Sequence, residues 1–190
     1  MDAVGSEAAA RLAGLGTVAI GRGLTDDEFV RIEHEFGFEF ADDHRAFLAA
    51  GLPVGGTWPN WRDDARRTLA TRLRLPVDGI LFAVEWRQFW HDAWGPRPAR
   101  MKDALRSASY QLARVPQMVP VYSHHYLPAG RGACGHPVLS IYQADIEPAG
   151  ADLLDYVDRQ FAPGPTPRRS AAPTVEFWSD LSVPTGRPRA

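Results

Sequence analysis

MVPVYSHHYL, residues 118–127, and HPVLSIYQADI, residues 136–146, are two runs rich in β-branched and aromatic residues, separated by the glycine-rich stretch PAGRGACG. Such residues favour a pleated, half-buried surface. We expect two adjacent antiparallel strands, with a connection longer than a tight hairpin needs. Working outward, Leu153, Leu154, Val157 and Phe161 recur at helical spacing after them. Before them, Met101, Leu105, Ala108 and Leu112 form a second stripe, with Pro98 suited to a first turn and Pro116 as a stop. Further upstream, GILFAVEW (79–86) alternates, placing Ile80, Phe82, Val84 and Trp86 on one face of a predicted strand, with QFW as a further short strand. Asp63–Arg74 reads as a helix, LPVGG as a loop, and Asp42–Ala50 as a helix with Ala46, Phe47 and Ala50 inward. Thr25 with Glu28 three residues later is a capping-box pattern opening a helix that carries Phe29, Ile32 and Phe36 and closes at Gly37. Helices come first, strands in the middle and a helix last. That order predicts a single α+β domain rather than an alternating β-α-β fold.

The predicted organisation is a domain over residues 24–162, preceded by an Ala- and Gly-rich extension (1–23) with a short helix over Glu7–Leu15. A Pro-rich linker (163–174) follows, then a segment (175–190) in which adjacent Phe177 and Trp178 are expected to anchor back on the domain. The chain has 190 residues, 45% of them hydrophobic and 23% charged, which excludes wholesale disorder. A net charge of −2 argues against a nucleic-acid partner. No apolar run is long enough to span a membrane, and residues 1–21 lack the basic and apolar regions of a secretory signal, so a cytoplasmic location is expected.

Catalytic patterns are weak. The single cysteine, Cys134, sits in a Gly-rich loop two residues from His136, without the rigid electropositive setting a nucleophilic thiol needs. Ser123 belongs to no nucleophile elbow, and GLGTVAIGRG is no P-loop. His124, His125, His136 and Asp145 are the one grouping that could serve a metal hydrolase. Strand alternation, however, would place His124 with Tyr122 and Tyr126, and His125 with Val121 and Leu127, on opposite faces. We therefore expect no catalytic residues, no metal and no cofactor. Charge is uneven: residues 25–43 hold eight acids against one base, Arg31, and residues 61–114 hold eleven bases against six acids. Solvated helix faces explain this most simply, and a surface that steers a partner is the alternative. Five of six tryptophans fall within residues 58–94. Tryptophan dominates interface hot spots, so some of these rings are interface candidates while most should fill the core.

Taken as blocks, LTDDEFVRIEHEFGFEF, ADDHRAFLAAGLPVGG, WPNWR, GILFAVEWRQFWHDAWGPRP, MVPVYSHHYLP, HPVLSIYQADIEPAGADLLDYV and EFWSDL resemble, in order and spacing, the SUKH superfamily of Smi/Knr-type, cell-wall-assembly-regulator-like bacterial domains. The resemblance covers about residues 24–183. The chain departs from the pattern at Ala83 and His125, where similar proteins carry an acid and an arginine. The resemblance implies an α+β domain with a central, mostly antiparallel sheet and helices packed around it. It also implies a non-enzymatic, protein-binding role, either as an immunity protein that neutralises a cognate toxin domain or as a regulatory scaffold. For such a protein partner we expect contacts from Trp58, Trp61, Trp90, His91, Trp94, His124 and Tyr126. The acidic helix Asp26–Glu35 is the next place to look.

Overall fold

The computed structural model describes residues 3–164 and 175–182. Its elements are α1 (Ala3–Leu15), β1 (Ala19–Gly21), α2 (Asp26–Phe36), α3 (Asp42–Ala50), β2 (Leu52–Val54), α4 (Arg66–Trp86), α5 (Met101–Leu112), β3 (Met118–Tyr122), β4 (His125–Pro128), β5 (Val138–Tyr142), β6 (Asp145–Gly150) and α6 (Leu153–Phe161). Single 3₁₀ turns lie at Asp92–Trp94 and Asp180–Ser182. The protein is an α+β domain with two antiparallel sheets, the pair β1–β2 and the four-stranded β3-β4-β5-β6.

Each of the two β-rich runs is itself a hairpin, not a single strand. Tyr122 pairs with His125 across a Ser123-His124 turn, and Tyr142 pairs with Asp145 across a Gln143-Ala144 turn. Two-residue hairpins require positive φ at the turn, which Gly or Asn normally supplies. Here Ser123 (φ 51°) and Gln143 (φ 57°) adopt it, so the turns carry no composition signal. The Gly-rich stretch links β4 to β5 instead. Strands β3 and β4 and most of β5 are buried on both faces, while β6 is an edge strand exposed at Asp145, Glu147 and Pro148. Val119, Val121, Leu127 and Val138 meet a large core that includes residues of α1, α2, α3 and α6. Met118, Tyr126, Leu139 and Ile141 meet Ile80 of α4, Leu112 of α5 and the segment after residue 174. A sheet covered on both sides reads as continuous apolar runs rather than alternation.

The predicted strand GILFAVEW is the second half of a 21-residue helix, and QFW is irregular chain. The apolar stripe of α4 runs Leu69, Leu73, Pro76, Ile80, Ala83 and Val84, all buried, at helical spacing. The period-2 pattern was incidental, since Phe82 and Trp86 face outward. Pro76 interrupts the hydrogen-bond ladder, because it cannot donate to the Arg72 carbonyl. The hydroxyl of Tyr126 donates to that carbonyl instead, at 3.4 Å. LPVGG is not all loop: Leu52–Val54 pairs with Ala19–Gly21. Ala50 is exposed, and Leu48 joins Phe47 in the core.

Helix α2 is capped as its sequence predicts. Thr25 Oγ1 accepts from the Glu28 amide, Glu28 Oε2 accepts from the Thr25 amide at 2.8 Å, and Gly37 closes the helix in the left-handed conformation. The first helix begins at Ala3, not Glu7, and lies in the core. Ala8 and Leu12 are fully buried, and a Cβ on Gly5 would run into the Asp43 carbonyl of α3. The expected Pro-rich linker lies, from residue 165 to 174, outside the described residues, as does the tail 183–190. Val175–Ser182 packs beneath α4 and α5. Trp178 is wholly buried and donates from Nε1 to the Pro116 carbonyl at 2.8 Å, and Val175 N donates to Ser179 Oγ at 2.8 Å.

Candidate functional site

The seven residues expected at a partner surface separate into three locations. Trp58, Trp61 and Tyr126 are core residues, which corrects the expectation that they face a partner. Trp58 stacks on Phe161 and Phe47, and Trp61 sits edge-on to Phe36 and Phe40 and tilted against Phe38. The loop between them does present polar groups, but inward: Asn60 Oδ1 accepts from the Arg62 and Asp63 amides, closing a tight turn. Arg62 then crosses to α2, where it meets both oxygens of Glu28 at 2.5 and 3.0 Å and the Gly23 carbonyl at 3.0 Å. The guanidinium, aided by the capping amide of Thr25, holds the Glu28 carboxyl down to about 2. WPNWR is thus a staple, two rings in the core and one cation across the N-terminus of α2. Tyr126 is held under α4 by its bond to the carbonyl that Pro76 leaves open, and burial pushes its phenol up to about 12.

Trp90, His91 and Trp94 do come together, half-buried, on irregular chain after α4. Trp94 packs edge-on against Trp90 (centroids 5.2 Å apart) and lies 5.8 Å from His91. Phe177 stacks flat beneath it at 5.7 Å and 9°. Local hydrogen bonds hold the segment's shape. Trp90 Nε1 donates to the Gly95 carbonyl at 2.7 Å, the Ala93 amide donates to His91 Nδ1 at 3.3 Å, and Arg97 donates to the Val84 carbonyl at 2.9 Å. The rings are therefore presented in one arrangement before any ligand arrives, which reduces the entropy lost on binding.

His124 lies elsewhere. It is exposed in the β3–β4 turn, whose Ser123 amide donates to the Thr57 carbonyl, at the Trp58 end of the molecule. Its ring centroid stands 4.5 Å from that of His125, contrary to the separation that strict alternation predicts. Two features cause this: the register of β3 slips between Pro120 and Tyr122, and His124 is a turn residue. His125 is buried and hydrogen-bonded through Nδ1 to the Tyr156 hydroxyl at 2.8 Å. Burial, with a smaller contribution from His124, pushes its pKa down to about 4, so the ring is neutral at physiological pH.

Among the described residues no three His, Cys, Asp or Glu side chains are grouped to hold a metal ion. Asp145 is exposed at the start of β6, and Cys134 is exposed in its loop. The most perturbed histidine was missed by sequence reasoning. His44 on α3 is fully enclosed against the edge of Phe40, its Nδ1 has no hydrogen-bond partner among the described residues, and burial pushes its pKa down to about 3. Nothing distinguishes His44 in the sequence except its place on the inward face of a helix.

Cations from elsewhere in the chain answer much of the acidic run, although Asp26 and Asp27 stay exposed. Asp26 pairs with Arg45, Glu28 with Arg62, Glu35 with Arg66 and Glu39 with Arg131, at 2.5–3.1 Å. Asp42 and Asp43 accept from the amides of Gly132 and Gly135, and so clamp the Gly-rich loop. No helix among the described residues is long and apolar enough to cross a membrane. No protein-family model, curated protein or solved structure matches the chain.

Proposed function

We propose that this chain is a non-catalytic, protein-binding domain of the SUKH type, and that it acts as an immunity protein by occupying a cognate toxin domain. The observation that carries the binding role is the prearranged ring cluster of Trp90, His91 and Trp94, which stays half-exposed although Phe177 and three hydrogen bonds fix it in place. Rings of this size bury large areas at low conformational cost, which suits a hot spot. The immunity role is what the block resemblance adds. The partner is a protein, and the proposed contact requires no cofactor or metal.

The test is co-expression with candidate toxin domains, followed by affinity capture with the parent chain and with Trp90→Ala and His91→Ala. Loss of a hot-spot ring should weaken capture by about 2 kcal/mol or more, some thirtyfold, while the circular dichroism spectrum and melting curve stay close to the parent's. Capture that survives both substitutions would move the interface away from this cluster. Failure of the parent chain to protect cells from any such toxin would remove the immunity reading.

A further inference from the structure

Phe177 is held in a backbone conformation that a bulky side chain avoids. Its φ is 66°, and the Trp178 amide donates across it to the Glu176 carbonyl at 2.8 Å. That bond from i+2 to i, about a left-handed residue, makes a γ-turn of the rare, strained form. Glycine would take the same turn freely, yet the chain carries phenylalanine there. The flanks impose the turn. Ser179 N donates to the Val175 carbonyl at 2.8 Å, and Val175 N donates back to Ser179 Oγ, so residues 175–179 close a loop with Phe177 at its apex. Trp178 beside it is fixed by complete burial and by its bond to the Pro116 carbonyl. Strain of this kind persists only where the surroundings over-determine it, and it collects at ligand clamps and switches.

The turn gives two adjacent rings different neighbours. Trp178 enters the core beneath α4 and α5. Phe177, edge-on to it at 5.1 Å, meets the 90–94 stretch instead, 5.7 Å from Trp94 and 5.2 Å from His91. Of the rings packed on Trp94 among the described residues, Phe89, Trp90 and His91 come from the same stretch of chain, and Phe177 alone comes from elsewhere. The hydrogen bonds that shape the stretch are local as well. Releasing residues 175–182 would therefore take the floor from under Trp94 and leave those local bonds in place.

We propose that residues 175–182 are a strained strap that regulates the ring cluster: docked, the strap completes the partner site, and released, it leaves Trp94 without its floor. This rests on the reading of Trp90, His91 and Trp94 as that site. Phe177 is the positioning residue, and it acts through Trp94. The strain at Phe177 opposes docking, so release costs less than the burial of Trp178 alone would demand. The coupling is reciprocal: whatever the docked strap adds to affinity for the partner, a bound partner adds to docking of the strap.

The test is proton–nitrogen correlation NMR of the indole groups in the full chain, with Trp90, Trp94 and Trp178 assigned by single Trp→Phe substitutions. Phe177→Leu keeps an apolar side chain in place and removes the stacked ring. Its Trp178 signal should stay put while the Trp90 and Trp94 signals shift. Hydrogen exchange at the Trp90 indole, which is bonded to the Gly95 carbonyl, should quicken about tenfold. If the Trp178 signal moves too, the strap has been released, and the coupling demands the same changes at Trp90 and Trp94. Phe177→Gly and Phe177→Ala both lack the ring, so their difference reads the strain: the glycine variant should melt about 2–4 °C higher. Parent-like Trp90 and Trp94 signals in Phe177→Leu, or an alanine variant as stable as the glycine one, overturn the proposal. These measurements need no partner, so failure to capture any toxin domain removes the proposed function without touching them. A toxin domain captured by the parent should bind Phe177→Leu about tenfold more weakly, and undiminished binding overturns the regulation.

Discussion

Replacing Trp178 by alanine tests whether the segment after residue 174 belongs to the folded unit. Trp178 has no exposed surface, and it packs in the cluster formed by Ile80, Leu112, Met118, Tyr126 and Leu139. Truncating a buried tryptophan costs about 3–5 kcal/mol. The Pro116 carbonyl would also lose the indole N–H that reaches it at 2.8 Å, adding roughly 1 kcal/mol. Since whole domains are stable by only about 5–15 kcal/mol, this is a large fraction of the total. At about 2–4 °C per kcal/mol for a chain of this size, the melting temperature should fall by roughly 8–24 °C. Trp178→Phe keeps a ring in the site and loses the donor, so it should cost much less, about 1–2 kcal/mol. Urea unfolding followed by far-ultraviolet circular dichroism measures both without relying on the fluorophore removed. If Trp178→Ala unfolds within about 0.5 kcal/mol of the parent, the segment does not hold this site and the reasoning fails.

Gly5→Ala should destabilise the domain by more than about 1 kcal/mol, because the new methyl meets the Asp43 backbone carbonyl; an unchanged urea midpoint would mean that α1 is not docked on α3. His44 gives the protein an acid limb. Its unfolded form takes up a proton below about 6.5, whereas the folded form resists it down to about 3. Its contribution is therefore complete above pH 6.5 and declines by up to roughly 1.4 kcal/mol per unit as pH falls towards 3. His44→Phe should remove about one proton's worth of slope from stability against pH in that window, and an unaltered slope would refute the assignment. Tyr126→Phe should cost about 1–2 kcal/mol by stranding the Arg72 carbonyl opposite Pro76, and combining it with Pro76→Ala should recover part of that loss, measured by a double-mutant cycle in urea.

Where sequence and structure agree, local chemistry set the outcome. Thr25, Glu28 and Gly37 bound α2 because capping involves backbone groups only three or four residues apart. Where they disagree, distant contacts decided. In GILFAVEW the alternation of large side chains matched a strand, yet the stripe beginning at Leu69 and Leu73 continues through Pro76, Ile80 and Val84 at helical period. Following that stripe across the proline would have found the helix, and with it the outward positions of Phe82 and Trp86. The hairpin turns were illegible for another reason: Ser123 and Gln143 hold positive φ without being Gly or Asn. Of the interface candidates, Trp58 and Trp61 looked displayed because Pro59 and Asn60 mark a turn. That turn folds both rings inward, and burial cannot be read from the turn residues alone.

The charge pattern carries the same lesson into function. A count along residues 25–43 suggests a strongly negative helix, because sequence records only neighbours. The cations that answer it come from elsewhere: Arg45 from α3, Arg62 from the loop before α4, Arg66 from α4 and Arg131 from the Gly-rich loop. Exposed pairs of this kind contribute little stability individually. Together they cancel much of the field that would draw in a basic partner, and Asp42 and Asp43 are engaged with the loop amides. Long-range steering by this helix should therefore be weak. An association governed by the rings at 90–94 should show a shallow dependence of its on-rate on salt. A steep fall in on-rate between low and physiological salt, relieved by Glu35→Gln or Glu39→Gln, would return the acidic helix to the interface and displace the aromatic cluster from it.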